Sequence, residues 1–74
     1  MTQQRADNIR YRIYISDGGT KFYLRDWIAS DQRDNLVFDG DTRSSMKFKK
    51  LATALRYRER MEALGYHPHI ESVR

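Results

Sequence analysis

Residues 9–28 read IRYRIYISDGGTKFYLRDWI, and this stretch decides the fold. Its first half alternates strictly, with the isoleucines and Tyr11 on one side and the arginines and Tyr14 on the other. This alternation is typical of a half-buried strand. The DGGT that follows is a strong turn signal, because glycine supplies the positive φ that a two-residue hairpin turn requires. We therefore predict a β-hairpin whose second strand is KFYLRDWI.

The parity of this hairpin assigns its side chains to two faces. Whether the turn is Asp17-Gly18 or Gly18-Gly19, Phe22 and Leu24 fall on the side of the isoleucines. The opposite face is then predicted to carry basic and aromatic side chains, namely Arg10, Arg12, Tyr14, Tyr23, Arg25 and Trp27. Only an odd-length loop or a β-bulge would reverse this assignment.

The remaining chain predicts one more strand, one helix and a last strand. LVF reads as a short third strand that the turn residues DGD end. From about Phe48 to Met61 the apolar period is helical, and Gly65 is a favoured residue just past a helix end. HPHIESV reads as a strand that begins after Pro68. We predict a small α+β fold of order β-β-β-α-β. Its antiparallel or mixed sheet has three to four strands, with the helix packed on one face. The sequence does not determine the order of these strands.

The predicted helix carries a charge in the middle of its apolar face. At about 100° per residue this face consists of Leu51, Ala54, Leu55, Arg58 and Met61. A charge there is costly unless it is paired or snorkels to water. We expect Arg58 to lay its stem beside Leu55 and to reach a carboxylate such as Glu62. The alternative is a rotated helix in which Tyr57 and Leu64 take its place.

Size and composition limit what the chain can be. Its 74 residues make one domain with one small core, which we place at residues 9–74 after a flexible N-terminal tail at residues 1–8. The absence of cysteine excludes a disulfide framework and a thiolate zinc site. Without an apolar signal core or a long apolar run, we expect a soluble cytoplasmic protein with no membrane partner.

The two histidines around Pro68 are the best candidates for a metal or proton-transfer site. His67 and His69 would share one side of a strand with Glu71, but a complete zinc ligand set is not evident. We interpret both as surface residues of the terminal strand. The sequence also contains no P-loop, dinucleotide fingerprint or nucleophile motif. We expect a non-catalytic protein with no metal and no small-molecule cofactor.

The net charge of +4 is concentrated in the second half of the chain. Residues 43–60 hold seven basic residues against one acidic residue. The outer side of the predicted helix carries a basic stripe at i, i+4, i+7, i+11 spacing, Lys49, Thr53, Arg56 and Arg60, with Lys50 beside its start. Such a stripe suits phosphate contacts, although any solvated helix face must also be polar.

Two functions fit these surfaces. On the open sheet face, rings can stack on bases and arginines can meet phosphates, so we predict a binding module for single-stranded nucleic acid. Tyr, Trp and Arg are also enriched at protein interfaces. The alternative is therefore a protein-interaction module, either an inhibitor or a homodimer joined sheet to sheet. The size and layout are similar in style to small accessory proteins of phages and mobile elements, with no motif behind that likeness.

Overall fold

The computed structural model describes residues 9–74 and confirms the predicted order of elements. The elements are β1 (Arg10–Asp17), β2 (Thr20–Ile28), β3 (Asn35–Asp39), a 3₁₀ turn (Thr42–Ser44), α1 (Leu51–Ala63) and β4 (His69–Val73). The four strands form one antiparallel sheet of order β3-β2-β1-β4. The third strand therefore extends the hairpin beside β2, and the last strand lies beside β1. The predicted tail at residues 1–8 lies outside the described residues.

The hairpin turn consists of Gly18 and Gly19, because Asp17 pairs with Thr20. Both glycines have positive φ, 60° and 87°, as the central residues of a type I′ turn require. A two-residue loop keeps the predicted parity near the turn. The side with the isoleucines accordingly faces the helix, and the side with Tyr14 and Tyr23 faces away from it.

Further along β2, a β-bulge at Arg25 shifts the register against β3. Leu24 pairs with Phe38 and Trp27 pairs with Leu36, so these side chains share one face of the sheet. The prediction that Trp27 lies on the open face is therefore wrong. The extra residue of the bulge turns the indole toward the helix, where it packs against the core.

The two strands of the hairpin pair only in the half next to the turn. Beyond it they diverge, and the segment 46–48 lies between them. The Met46 N–H donates to the Leu24 carbonyl at 2.9 Å, and Phe48 exchanges two backbone hydrogen bonds with Tyr11, at 2.9 and 2.8 Å. This segment satisfies backbone groups that the split leaves open, and it carries Phe48 into the core.

The core lies between the sheet and α1, which packs over β1 and β4. Its buried members are Ile13, Leu24, Phe48, Ala54 and Met61. Tyr57 joins them from the helix, with its ring centroid 5.5 Å from that of Trp27 and 4.8 Å from that of Phe48. The bulge explains this helix orientation, because it gives Tyr57 an aromatic partner on the helix side of β2.

The helix face is shifted from the predicted one. Leu51 is 45% exposed although the sequence placed it in the core, and Leu64 is 51% exposed although it belonged to the rotated alternative. Arg58 is half-buried, and its Nε has no hydrogen-bond partner within residues 9–74. The predicted pairing of Arg58 with a carboxylate such as Glu62 is therefore wrong. Among the described residues there is no helix long and apolar enough to cross a membrane.

Candidate nucleic-acid interface

The open face of the sheet, which points away from α1, holds a polar network centred on Glu71. Glu71 on β4 lies opposite Arg12 on β1, and its Oε2 accepts from Arg12 Nε at 2.6 Å. Its Oε1 accepts from Lys21 Nζ at 3.2 Å, and the Tyr23 hydroxyl donates to Oε2 at 3.3 Å. One carboxylate thus collects three donors from the two strands of the hairpin.

The pKa values of Glu71 and Lys21 are both shifted in the direction that favours the charged form. Burial raises the pKa of Glu71, but the hydrogen bonds from Arg12 and Lys21 outweigh burial and hold that pKa below its ordinary value. The hydrogen bond to Glu71 in turn raises the pKa of Lys21. Arg12, which the sequence predicted as a binding residue, is therefore already neutralised within the chain.

Cations also cover the rings of this face. The Arg12 guanidinium lies 4.8 Å from the Tyr23 ring centroid, and Lys21 Nζ lies 4.5 Å from that of Tyr14. Tyr23 is only 6% exposed, so a base cannot stack on it. Tyr14 is half-buried and packs against His69, with ring centroids 5.2 Å apart. Of the two predicted stacking rings on this face, Tyr14 keeps solvent-exposed surface and Tyr23 does not.

The other predicted residues of the sheet face have partners as well. Arg25 is exposed and forms a 3.5 Å ion pair with Asp39. Arg10 is half-buried and donates to the Ile9 carbonyl at 3.0 Å. Trp27 lies on the opposite face of the sheet. The open face therefore balances most of its charge internally.

The predicted basic stripe of the helix is divided. Arg60 is not available with the rest of the stripe, because its guanidinium lies 4.8 Å from the Trp27 ring centroid and donates to Asp34 at 3.4 Å. Thr53 is half-buried. The two remaining members, Lys49 and Arg56, together with the N-cap residue Lys50, form what we call the α1-start surface. All three are exposed and form no ion pair within residues 9–74.

The local backbone adds to this positive potential. Lys50 occupies the N-cap position of α1 without a side-chain hydrogen bond to the helix, and the first turn contains no acidic residue. The first N–H groups of a helix lack intrahelical partners and form the positive end of its dipole. Two lysines beside that end repel it, so an anion placed there would relieve an unfavourable interaction.

The sequence missed Glu71 and Lys21 as members of a shared network. Glu71 entered the prediction only as a third metal ligand beside the histidines. Its pairing with Arg12 follows from β4 lying next to β1, and the sequence left the strand order open. Cross-strand parity could have suggested the pair once that order was assumed.

The predicted surface position of His67 and His69 is confirmed, since both are exposed. Within residues 9–74 no group of three His, Cys, Asp or Glu side chains could hold a metal ion. A shallow groove lies between the β2–β3 loop and the C-terminal end of α1, lined by Gln32, Arg33, Asp34, Leu64 and Tyr66. Comparisons of this chain with protein-family models, with curated proteins and with solved structures gave no match.

Proposed function

We propose that this protein is a small non-catalytic binding module that contacts the backbone of single-stranded nucleic acid through the α1-start surface. One observation carries the proposal. Within residues 9–74, Lys49, Lys50 and Arg56 are exposed without ion pairs, whereas Arg12 and Arg25 are paired with carboxylates. We place this module in the cytoplasm, where such a ligand is available.

Unpaired surface cations bind a phosphate backbone by displacing its condensed counterions. Each phosphate contact on a single strand contributes about −0.7 to the slope of log K against log salt concentration, so three contacts give a slope of about −2. An interface of this size predicts micromolar or weaker affinity and little preference for sequence. Ion-paired arginines add less, because they must first leave their carboxylates.

The open sheet face has a secondary role in this proposal. Tyr14 and His69 offer an aromatic edge on which one base can stack once Lys21 moves aside. Stacking of this kind contributes about 1–3 kcal/mol per base and tolerates different sequences. Replacing Tyr14 by alanine should therefore weaken binding without changing its salt slope.

The test is a fluorescence anisotropy titration of short labelled single-stranded DNA and RNA, repeated between about 50 and 200 mM salt. We expect weak binding that falls with salt, and a triple variant, Lys49→Gln with Lys50→Gln and Arg56→Gln, that loses most of that salt dependence. Arg33→Gln is the matched control, because Arg33 is also exposed and lies in the β2–β3 loop.

Three results would count against the proposal. They are no binding at low salt, binding that does not depend on salt, or a loss in the Arg33→Gln control as large as in the triple variant. If nucleic acid does not bind and a protein partner protects Tyr14 and His69 from solvent, the interaction-module alternative replaces this proposal.

A further inference from the structure

Among residues 9–74 the last strand leaves one edge of the sheet open, because β4 has β1 as its neighbour in the order β3-β2-β1-β4. Tyr11 exchanges its backbone hydrogen bonds with Phe48, on the side of β1 away from β4. Tyr11 and Ser72 are therefore a non-hydrogen-bonded pair, and Ser72 points its N–H and C=O to the open edge. Ile70, two residues earlier, does the same. Such a row of backbone groups is a template for another strand.

One flank of α1 lies over this edge. Tyr57 and Arg60 reach Trp27 on β2, so the opposite flank of the helix is turned toward β4, which α1 also contacts. At about 100° per residue this β4-edge flank has i, i+4, i+7, i+11 spacing and consists of Leu51, Leu55, Arg58 and Glu62. Leu51 is 45% exposed, so this flank presents apolar surface to the solvent.

The β4-edge flank also carries one charge of each sign that has no ion-pair partner in the described part of the chain. Arg58 is half-buried with an unpaired Nε, and Glu62, one turn later, is exposed and forms no ion pair within residues 9–74. A two-fold axis placed beside this flank would set the helices of two copies antiparallel. It would bring Arg58 of each copy toward Glu62 of the other. The patch is therefore complementary to itself.

We propose that two copies of this chain join through their β4 edges into one continuous antiparallel sheet, with their β4-edge flanks packed across the two-fold axis. A second copy satisfies the outward backbone groups of Ile70 and Ser72, and it covers Leu51. A foreign partner would not require both charges on the same patch, whereas a two-fold dimer does. Dimerisation also enlarges a core that is small for an independent domain. This inference uses a different surface from the proposed function and does not depend on it.

The test is sedimentation equilibrium of the full chain over a concentration series. We expect a mass twice the 8.9 kDa of one chain at high concentration. Arg58→Glu should raise the dimer dissociation constant about tenfold or more, because it sets like charges against Glu62 of the second copy twice. The charge swap, Arg58→Glu with Glu62→Arg, should restore the wild-type constant. Arg56→Glu is the matched control on the outer side of the same helix and should leave the constant unchanged.

Ser72→Pro tests the edge itself, since it removes an outward N–H that the pairing with β1 does not use. We expect a folded monomer by circular dichroism and sedimentation. If this variant does not fold, amide exchange of Ile70 and Ser72 in the wild type replaces it, with slow exchange at high concentration and fast exchange on dilution. A monomeric mass at every concentration, or equal dissociation by Arg56→Glu and Arg58→Glu, would overturn the proposal.

Discussion

The Glu71 carboxylate accepts hydrogen bonds from Arg12, Lys21 and Tyr23 on the open face of the sheet. Its side chain is 23% exposed and that of Arg12 is 17% exposed, so the pair is partly shielded from solvent. Removing one member of a shielded pair costs more than the pair contributes, because the other charge is left without compensation. At the scale of single residues, Glu71 therefore matters most for the stability of this face.

We predict that Glu71→Gln lowers the free energy of unfolding by about 1–2 kcal/mol at neutral pH. The folded-state pKa of Glu71 is lowered, so its contribution is present above the ordinary value of 4.5 and is lost as the pH falls through the folded pKa. The difference between wild type and variant should therefore shrink in acid. Urea unfolding at pH 7 and at about pH 3 measures it.

Glu59→Gln is the control for this experiment, because Glu59 is exposed on α1 and forms no ion pair within residues 9–74. We expect a change within about 0.5 kcal/mol at both pH values. A Glu71→Gln variant that is as stable as wild type at neutral pH, or whose deficit grows in acid, would contradict the assignment.

At the scale of elements, the hairpin depends on the conformation of its two-residue turn and on the bulge that follows. The type I′ turn matches the right-handed twist of the strands, and it fixes the register that buries Ile13 and Leu24. The bulge at Arg25 then reverses the parity for the rest of β2. These two local features decide which hairpin side chains enter the core.

We predict that Gly19→Ala lowers the free energy of unfolding by about 1–2 kcal/mol, because the φ of 87° is strained for any residue with a Cβ. Gly40→Ala is a matched control, since Gly40 lacks a positive φ and an added Cβ would meet no atom within 4 Å. Its effect should be close to zero or slightly stabilising. Equal effects of the two variants in urea unfolding would show that the turn does not require positive φ.

At the scale of the whole molecule, the segment 46–48 connects parts that would otherwise separate. It bonds to both diverging strands of the hairpin, and Phe48 contacts the helix through Tyr57. Phe48 is 7% exposed, so its ring contributes fully to a core that has few members. The sheet and the helix of this small domain should therefore unfold together.

We predict that Phe48→Ala lowers the free energy of unfolding by about 3 kcal/mol or more, which is a large part of the stability of a domain this size. Phe48→Leu keeps most of the volume and should cost about half as much. Thermal unfolding followed by circular dichroism and by Trp27 fluorescence measures both variants. Transitions that separate by probe would show that the sheet and helix are not one cooperative unit.

The sequence by itself determined the element order, the two-residue hairpin turn within Asp17–Gly19 and the helix-side burial of Ile13 and Leu24. These features follow from local periodicity and from backbone conformations that few residues tolerate. It also located the basic residues of the α1-start surface, since charge can be read directly from the chain. The extent of the candidate interface could not be predicted in the same way.

Only the tertiary structure decided the strand order, the face of Trp27 and which cations remain unpaired. The pairing of β3 with β2 contains the bulge. The bulge turns Trp27 to the helix side of the sheet, where it contacts Tyr57 and Arg60. Because β4 lies beside β1, Glu71 is placed opposite Arg12 and forms an ion pair with it. Each of these outcomes depends on contacts between residues that are far apart in the chain, and local pattern carries no information about such contacts.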